Sequence, residues 1–168
     1  MKLHVVTACS RPENLPQVAS SIPELAVWWL VGKAPNALDR SHYFLPAPMS
    51  VGGQAQKNLA LEYIDGDDWV YFLDDDTVMH PDFPSVLAGY DTQPVRGLVF
   101  SSDSRSLSDV RVGCIDQGQY VLKRNTIGDS RIPLVYEGDG LFIEGLYKAC
   151  PEGFVRLDRV LAYYNRLR

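Results

Sequence analysis

From Trp69 to Leu73 the chain runs through aromatic and aliphatic residues without a polar break, then stops at three carboxylates, Asp74, Asp75 and Asp76. An unbroken apolar run bounded by polar residues predicts a buried strand. Leu3–Thr7 and Ala26–Val31 have the same character. Between them, Ala8-Cys9-Ser10 predicts a loop and Arg11-Pro12-Glu13 the opening of a helix, with Ser10 as cap and Pro12 in the first turn. Residues 34–50 hold Pro35, Pro46 and Pro48, with Arg40, His42 and Tyr43 among them, and read as a long loop. Gly52-Gly53 then leads into a helix over Gln54–Tyr63, with Ala55, Leu59 and Tyr63 on one face. Gly66-Asp67-Asp68 makes the turn into the third strand. Alternation of strand and helix predicts an α/β domain, Rossmann-like, with a mainly parallel sheet flanked by helices.

The second half is less regular. Val95–Ser101 predicts a strand, and the serine-rich Ser101–Asp109 a mobile polar segment. Val112–Ile115 and Gln119–Lys123 predict short strands around Asp116-Gln117-Gly118. Asp139–Cys150 predicts a helix with Phe142, Leu146 and Cys150 on one face, ended by Pro151. Val155–Leu157 and Val160–Tyr164 supply closing strand or helix. No internal repeat or interdomain linker is visible.

Composition adds limits. A chain of 168 residues suits one domain with a real core. Net charge is −5 and no basic run occurs, which argues against a nucleic-acid partner. No stretch approaches the ~18 apolar residues of a membrane span, and the N-terminus lacks the pattern of a signal peptide. Cys9, Cys114 and Cys150 are odd in number and far apart, which argues against a disulfide framework or zinc cluster and predicts a cytoplasmic protein. Cys9 reads as a small packing residue rather than a nucleophile.

The chemistry concentrates at Asp74–Asp76. Three adjacent carboxylates repel unless something neutralises them. Hard divalent cations do so, taking one or two carboxylates and filling the remaining positions with water and substrate phosphate. In open α/β sheets, ligands sit beyond the carboxyl ends of the strands. The pattern predicts a metal–phosphate site; the plainer alternative is a solvated acidic turn that only ends the strand.

Four segments, VVTACSRP (5–12), GGQAQKNLAL (52–61), VYFLDDDTVMHPDF (70–83) and YEGDGLFIEGL (136–146), together resemble the nucleotide-sugar glycosyltransferases of the GT-A fold. The first and third are similar to the glucuronyltransferase branch. The last is similar to the large inverting family 2 that includes cellulose and chitin synthases. The resemblance covers residues 1–90 well and 110–165 loosely. It implies a single domain over 1–168, with 1–90 as the nucleotide- and metal-binding half and 91–168 as the donor-sugar and acceptor half. It implies a UDP-sugar donor (UDP-glucose taken first), Mn²⁺ or Mg²⁺, and transfer with inversion to a saccharide, lipid or protein acceptor. Asp76 would touch the metal, with Asp74 and Asp75 on ribose hydroxyls or on the metal through water. Thr7, Ala8 and Arg11 would cradle the uridine, and Lys57 and Asn58 would face the nucleotide. Asp139 would be the general base, with Glu137 as its substitute, and Asp116 and Gln119 would line the donor-sugar and acceptor pocket.

Each assignment has a plainer alternative: a solvated helix charge for Lys57, an N-cap for Asp139, a turn residue for Asp116. At a helix start, Asp139 is expected to have a lowered pKa and to be a weak base. No histidine follows His80, so the late metal-binding His of some GT-A enzymes has no counterpart, and the chain is shorter than most members. Two other functions fit parts of the pattern. Asp74-Asp75-Asp76-Thr77-Val78 also matches haloacid-dehalogenase-type phosphatases, with Lys123 as their lysine and Gly138-Asp139 followed by Glu144 as their late acidic motif. A non-catalytic nucleotide-sugar-binding module needs only the binding half.

Overall fold

The computed structural model describes residues 2–33, 38 and 41–168; Arg40 lies outside them. Among the described residues, eight strands form one sheet in the order β3-β2-β1-β4-β7-β6-β8-β5. Strands β1 (Leu3–Cys9), β2 (Val27–Gly32), β3 (Tyr43–Pro46) and β4 (Trp69–Phe72) run parallel. Strand β7 (Tyr120–Lys123) runs antiparallel between β4 and β6 (Gly97–Ser102). Strand β8 (Phe154–Tyr163) is parallel to β6, and the short β5 (Val78–Met79) is antiparallel to β8.

The unbroken apolar runs are strands buried on both faces. Trp69, Tyr71 and Leu73 point to one side, where they pack with Val5, Trp28, Leu15 and Val18 of helix α1 (Leu15–Ser21), and Phe83 and Leu87 of helix α3 (Phe83–Ala88). Val70 and Phe72 point to the other, against Ala60 and Leu61 of helix α2 (Gln54–Leu61) and Phe142 and Ile143 of helix α5 (Gly138–Ala149). One further short helix, α4 (Arg124–Ile127), follows β7. Burying both sheet faces between helices is what leaves the strand ends as the place for polar chemistry.

Five expectations from the sequence are corrected by the fold. Residues 43–46 are not loop: they form β3, because an edge strand tolerates Pro46 where an inner one would not. Ser10 does not cap a helix. The segment Pro12–Asn14 is a short 3-10 turn with no side-chain cap, and the Ser10 hydroxyl is spent elsewhere. Helix α2 buries Gln54, Gln56 and Lys57 along with Ala60 and Leu61, while Tyr63 is exposed, so the face expected from the apolar spacing is not the one turned inward. Val112–Ile115 is turn rather than strand. The two closing segments are one strand, β8, interrupted by a register shift opposite Val99–Ser102.

Gly53 sets the approach of α2 to the sheet. Its φ is +72°, and a Cβ placed there would lie 2.4 Å from the Ala8 Cβ. Gly53→Ala therefore combines left-handed strain with an overpacked contact, a cost of about 2–4 kcal/mol. The expected result is a thermal midpoint roughly 5–15 °C lower, measured by circular dichroism; an unchanged midpoint would show that α2 is not held at this contact.

Candidate active site

The C-terminal ends of β1 and β4 meet beside the N-terminus of α2, and there the three carboxylates receive separate partners. Asp75 is wholly engaged. Its Oδ2 accepts the Ser10 N–H (2.6 Å), the Ser10 hydroxyl (2.7 Å) and the Arg11 N–H (2.7 Å), while Oδ1 accepts Arg11 Nη1 at 3.1 Å. Asp76 accepts Arg11 Nη1 at 2.6 Å and Arg168 Nε at 2.7 Å, both on Oδ2. Asp74 accepts Lys57 Nζ at 2.6 Å on Oδ1, and its other oxygen holds no hydrogen bond among the described residues. Lys57 is 1% exposed and also donates to the Gly52 carbonyl and the Gln117 Oε1. It is a buried counter-ion, not a solvated helix charge.

Two adjoining cavities of about 330 Å³ each open at this strand end. The first is walled by Ala8, Ser10, Arg11, Ser50, Gly53 and the three aspartates. The second is walled by Gln54, Lys57, Asp116, Gln117, Glu137 and Asp139. Gly52, Asp74 and Arg168 line both, so they form the seam.

Asp139 lies in the first turn of α5, facing the second cavity. Its pKa is raised, not lowered as the helix start suggests. Burial is the largest cause and the charge of Asp74 adds to it, against the opposing Gly140 N–H and Lys57. Desolvation of the carboxylate outweighs the helix terminus. Asp116 is raised in the same way, chiefly by burial, with Arg105 Nη1 at 3.2 Å from its Oδ1 pulling the other way. Among the described residues its Oδ2 is buried without a partner, as is the Oε1 of Gln54. Glu137 is exposed at the rim of the same cavity.

Four predicted site residues have other work. The Thr7 side chain is fully buried and its hydroxyl accepts the Trp28 indole N–H, so it cannot cradle a ligand. Asp75 holds the loop after β1 through four donors, three of them on Oδ2, so its first work is structural. Asn58 donates to the Ile132 carbonyl and accepts the Ile132 N–H, both at 2.8 Å, and so clamps the chain ahead of α5 rather than facing a nucleotide. Gln119 is fully buried. It accepts the Asp116 N–H and donates to the Phe100 and Arg105 carbonyls, shaping the turn that carries Asp116. Ala8, Arg11, Lys57, Asp74, Asp76, Asp116, Glu137 and Asp139 do line the cavities. Further lining residues that carry no role from the sequence include Arg168, Gln54, Gln117 and Arg105. Gln54 lies inside the 52–61 segment and Gln117 beside Asp116, within reach of a sequence argument; Arg168 carries no spacing signal.

Of the phosphatase residues beyond the aspartate run, Asp139 shares the second cavity with Asp74, but Lys123 and Glu144 do not join it. Lys123 faces Trp69 in the β4–β7 register, at the far end of β4 from Asp74, and pairs with Asp91. Glu144 is bonded to Lys148 and to the Val112 N–H. Cys9 is buried, and desolvation with the nearby Asp75 charge pushes its thiol up to about 11, in keeping with a packing role.

The charges also test whether a divalent cation suits the site. Asp74, Asp75 and Asp76 are matched by Lys57, Arg11 and Arg168, and Arg105 is taken by Asp116. A diphosphate would add negative charge that these cations do not cover. Among the described residues no three His, Cys, Asp or Glu side chains form a metal cage. One carboxylate, Asp76, with substrate phosphate and water is the donor set magnesium-type ions accept, so the residues fit an ion that arrives with the diphosphate.

The fold is GT-A-like. The chain resembles S. aureus TarS residues 1–349 in complex with UDP, with a TM-score of 0.71 and 16% identity, covering 97% of this chain and 60% of that one. It resembles the glycosyltransferase GlyE of Streptococcus pneumoniae TIGR4 (TM-score 0.58, 13% identity, 94% and 45% coverage). It also resembles a Bacillus anthracis protein named as a glucose-1-phosphate thymidylyltransferase (TM-score 0.60, 9% identity, 96% and 88% coverage). TarS has also been crystallised in complex with UDP-GlcNAc. The chain therefore spans less than two thirds of these TarS and GlyE chains. No protein-family model and no curated protein matches it. Among the described residues, no helix is long and apolar enough to cross a membrane.

Two measurements follow from the geometry. Because the pKa of Asp139 is higher folded than unfolded, its ionisation costs stability as pH rises from the ordinary carboxylate range. Asp139→Asn keeps an oxygen for the Gly140 N–H and removes that cost. It is expected to melt at or above the wild-type midpoint at pH 7, with the gap closing toward pH 4; a lower midpoint at pH 7 would contradict the burial argument. Asn58→Ala leaves both polar groups of Ile132 unpaired and is expected to lose about 1–3 kcal/mol in urea unfolding; unchanged stability would mean that the clamp is not formed.

Proposed function

We propose that this chain is a glycosyltransferase, or the transferase domain of one, that uses a UDP-sugar donor and inverts the anomeric centre. The observation that carries this is the seam. Two cavities meet over Asp74, Gly52 and Arg168, and a carboxylate of raised pKa stands in the second. The nucleoside would occupy the cavity of Ala8 and Arg11, the sugar and acceptor that of Asp116 and Asp139. The complexes of TarS with UDP and UDP-GlcNAc support a nucleotide-sugar donor. UDP-glucose and UDP-GlcNAc are the donors to test first.

Asp76 is the residue assigned to Mn²⁺ or Mg²⁺, an ion that would supply Lewis-acid charge to the departing diphosphate. The protein does the rest. Arg11, held by Asp75, presents fixed positive charge beside Asp76. Lys57 fixes Asp74 at the seam and keeps that carboxylate from repelling the donor outright. Asp139 accepts the proton of the acceptor hydroxyl; its raised pKa makes it a better base than an exposed aspartate, at the cost of losing the anion earlier as pH falls. Gln54 and Asp116 line the same cavity as Asp139 and supply amide and carboxylate groups for sugar hydroxyls. The free cysteines suit a reducing compartment such as the cytoplasm.

The test is UDP-sugar turnover with an acceptor panel, alongside UDP binding. Asp139→Asn is expected to lower transfer by ~10²–10⁴-fold with UDP affinity nearly unchanged, and the product is expected to carry the opposite anomeric configuration by proton NMR. Full activity in Asp139→Asn but none in Glu137→Gln would move the base to Glu137. Binding without any transfer or hydrolysis would leave a sugar-nucleotide-binding module. Turnover of a nucleoside triphosphate with glucose 1-phosphate would place the chain among nucleotidyltransferases instead.

A further inference from the structure

Asp76 carries two guanidinium groups on one oxygen, and the two are held differently. Arg11 is pinned: its backbone N–H and Nη1 both bind Asp75 as well. Arg168 reaches Asp76 through Nε alone, and its side chain is 59% exposed. Among the described residues its terminal amino groups hold no hydrogen bond. The backbone around it is anchored separately. Leu167 N–H donates to the Asp76 carbonyl (3.1 Å), Asn14 Nδ2 donates to the Leu167 carbonyl (3.3 Å), and Tyr164 N–H donates to Asp103 (2.8 Å). Asn165, at φ 52°, makes the turn that brings this segment back over the strand end. The side chain can therefore change partner while its backbone stays in place.

We propose that Arg168 is a diphosphate-binding residue held in reserve on Asp76, and that donor binding exchanges its partner from the carboxylate to the phosphates. This rests on the nucleotide-sugar reading above. A diphosphate joins nucleoside to sugar, so it must cross the seam that Arg168 lines. A guanidinium with free amino groups binds phosphate in a fork and keeps its charge at any working pH. A divalent cation and Arg168 compete for the charge of the Asp76 carboxylate, whose Oδ2 Arg168 already holds, so the cation binds there more weakly until the diphosphate gives the guanidinium another partner. Metal alone is then disfavoured, and metal with nucleotide is favoured.

The exchange gives removal of Arg168 two effects of opposite sign. Calorimetry is run with MnCl₂ alone, and with UDP at saturating Mn²⁺ and in EDTA, on the wild type, Arg168→Ala, Arg168→Gln and Arg168→Lys. For the alanine and glutamine variants, Mn²⁺ affinity is expected to rise several-fold and UDP affinity to fall about tenfold. Lysine should lie between them and the wild type on both axes. A fall in both affinities makes Arg168 a structural prop and overturns the proposal. So does an unchanged UDP affinity, or UDP binding by the wild type that is indifferent to Mn²⁺. If either variant fails to fold, the other and the lysine variant carry the comparison. No UDP binding by the wild type under any condition defeats the nucleotide-sugar reading itself, and this inference with it; UDP binding insensitive to Arg168 defeats this inference alone.

Discussion

Three adjacent carboxylates at the end of a buried strand are tolerated here because each has its own counter-charge. Much of the local structure serves that need. Asp75 draws the loop after β1 around itself through two backbone N–H groups and the Ser10 hydroxyl, which fixes Arg11. Asp74 pulls Lys57 into the interior, and with it a polar face of α2 that amphipathic spacing alone would leave outside. Asp76 gathers the segment that follows β8. Removing Asp74 would leave the buried Lys57 charge uncompensated, a far larger penalty than the pair's own net worth, whereas Asp76 keeps Arg11 when Arg168 is lost.

The same charges give the site two compartments of different character. On one side of the seam the carboxylates are neutralised by Arg11, Arg168 and Lys57. On the other, Asp116 and Asp139 are desolvated with only partial compensation, and both hold their protons more tightly than exposed aspartates. The boundary runs through Lys57, which bonds Asp74 and Gln117 and also reaches Asp139 electrostatically. A single buried lysine thus tunes groups in both compartments, so a change at that position would not be confined to one of them.

Strands β1, β2 and β4 are legible in the sequence as apolar runs because they are buried on both faces, and the carboxylates mark which end of β4 matters. What the sequence hides depends on partners distant along the chain. Asn58 does need a reason to sit in a helix, but the reason is Ile132, 74 positions away. A helix start lowers the pKa of Asp139 locally, yet burial that only the assembled cavity imposes outweighs it. Strand β3 is concealed because proline at an edge costs no ladder bond, and Arg168 because nothing in its neighbourhood distinguishes it from a solvated arginine. Local chemistry is readable from residue order; long-range desolvation and pairing are not.

Strand β7 lies antiparallel between β4 and β6, so β4 has its neighbours on either side, β1 and β7, drawn from distant parts of the chain. Neither pairing can form by a tight hairpin, and both must close long loops before they gain anything. Until they do, the run from Trp69 to Leu73 is an exposed hydrophobic segment with high strand propensity. The three aspartates beside it then act during folding as gatekeepers: unpaired and mutually repulsive, they keep that segment from stacking on copies of itself. Substitutions that neutralise them to probe binding should therefore be watched for loss of soluble yield, an effect that would arise on the way to the folded protein and not within it.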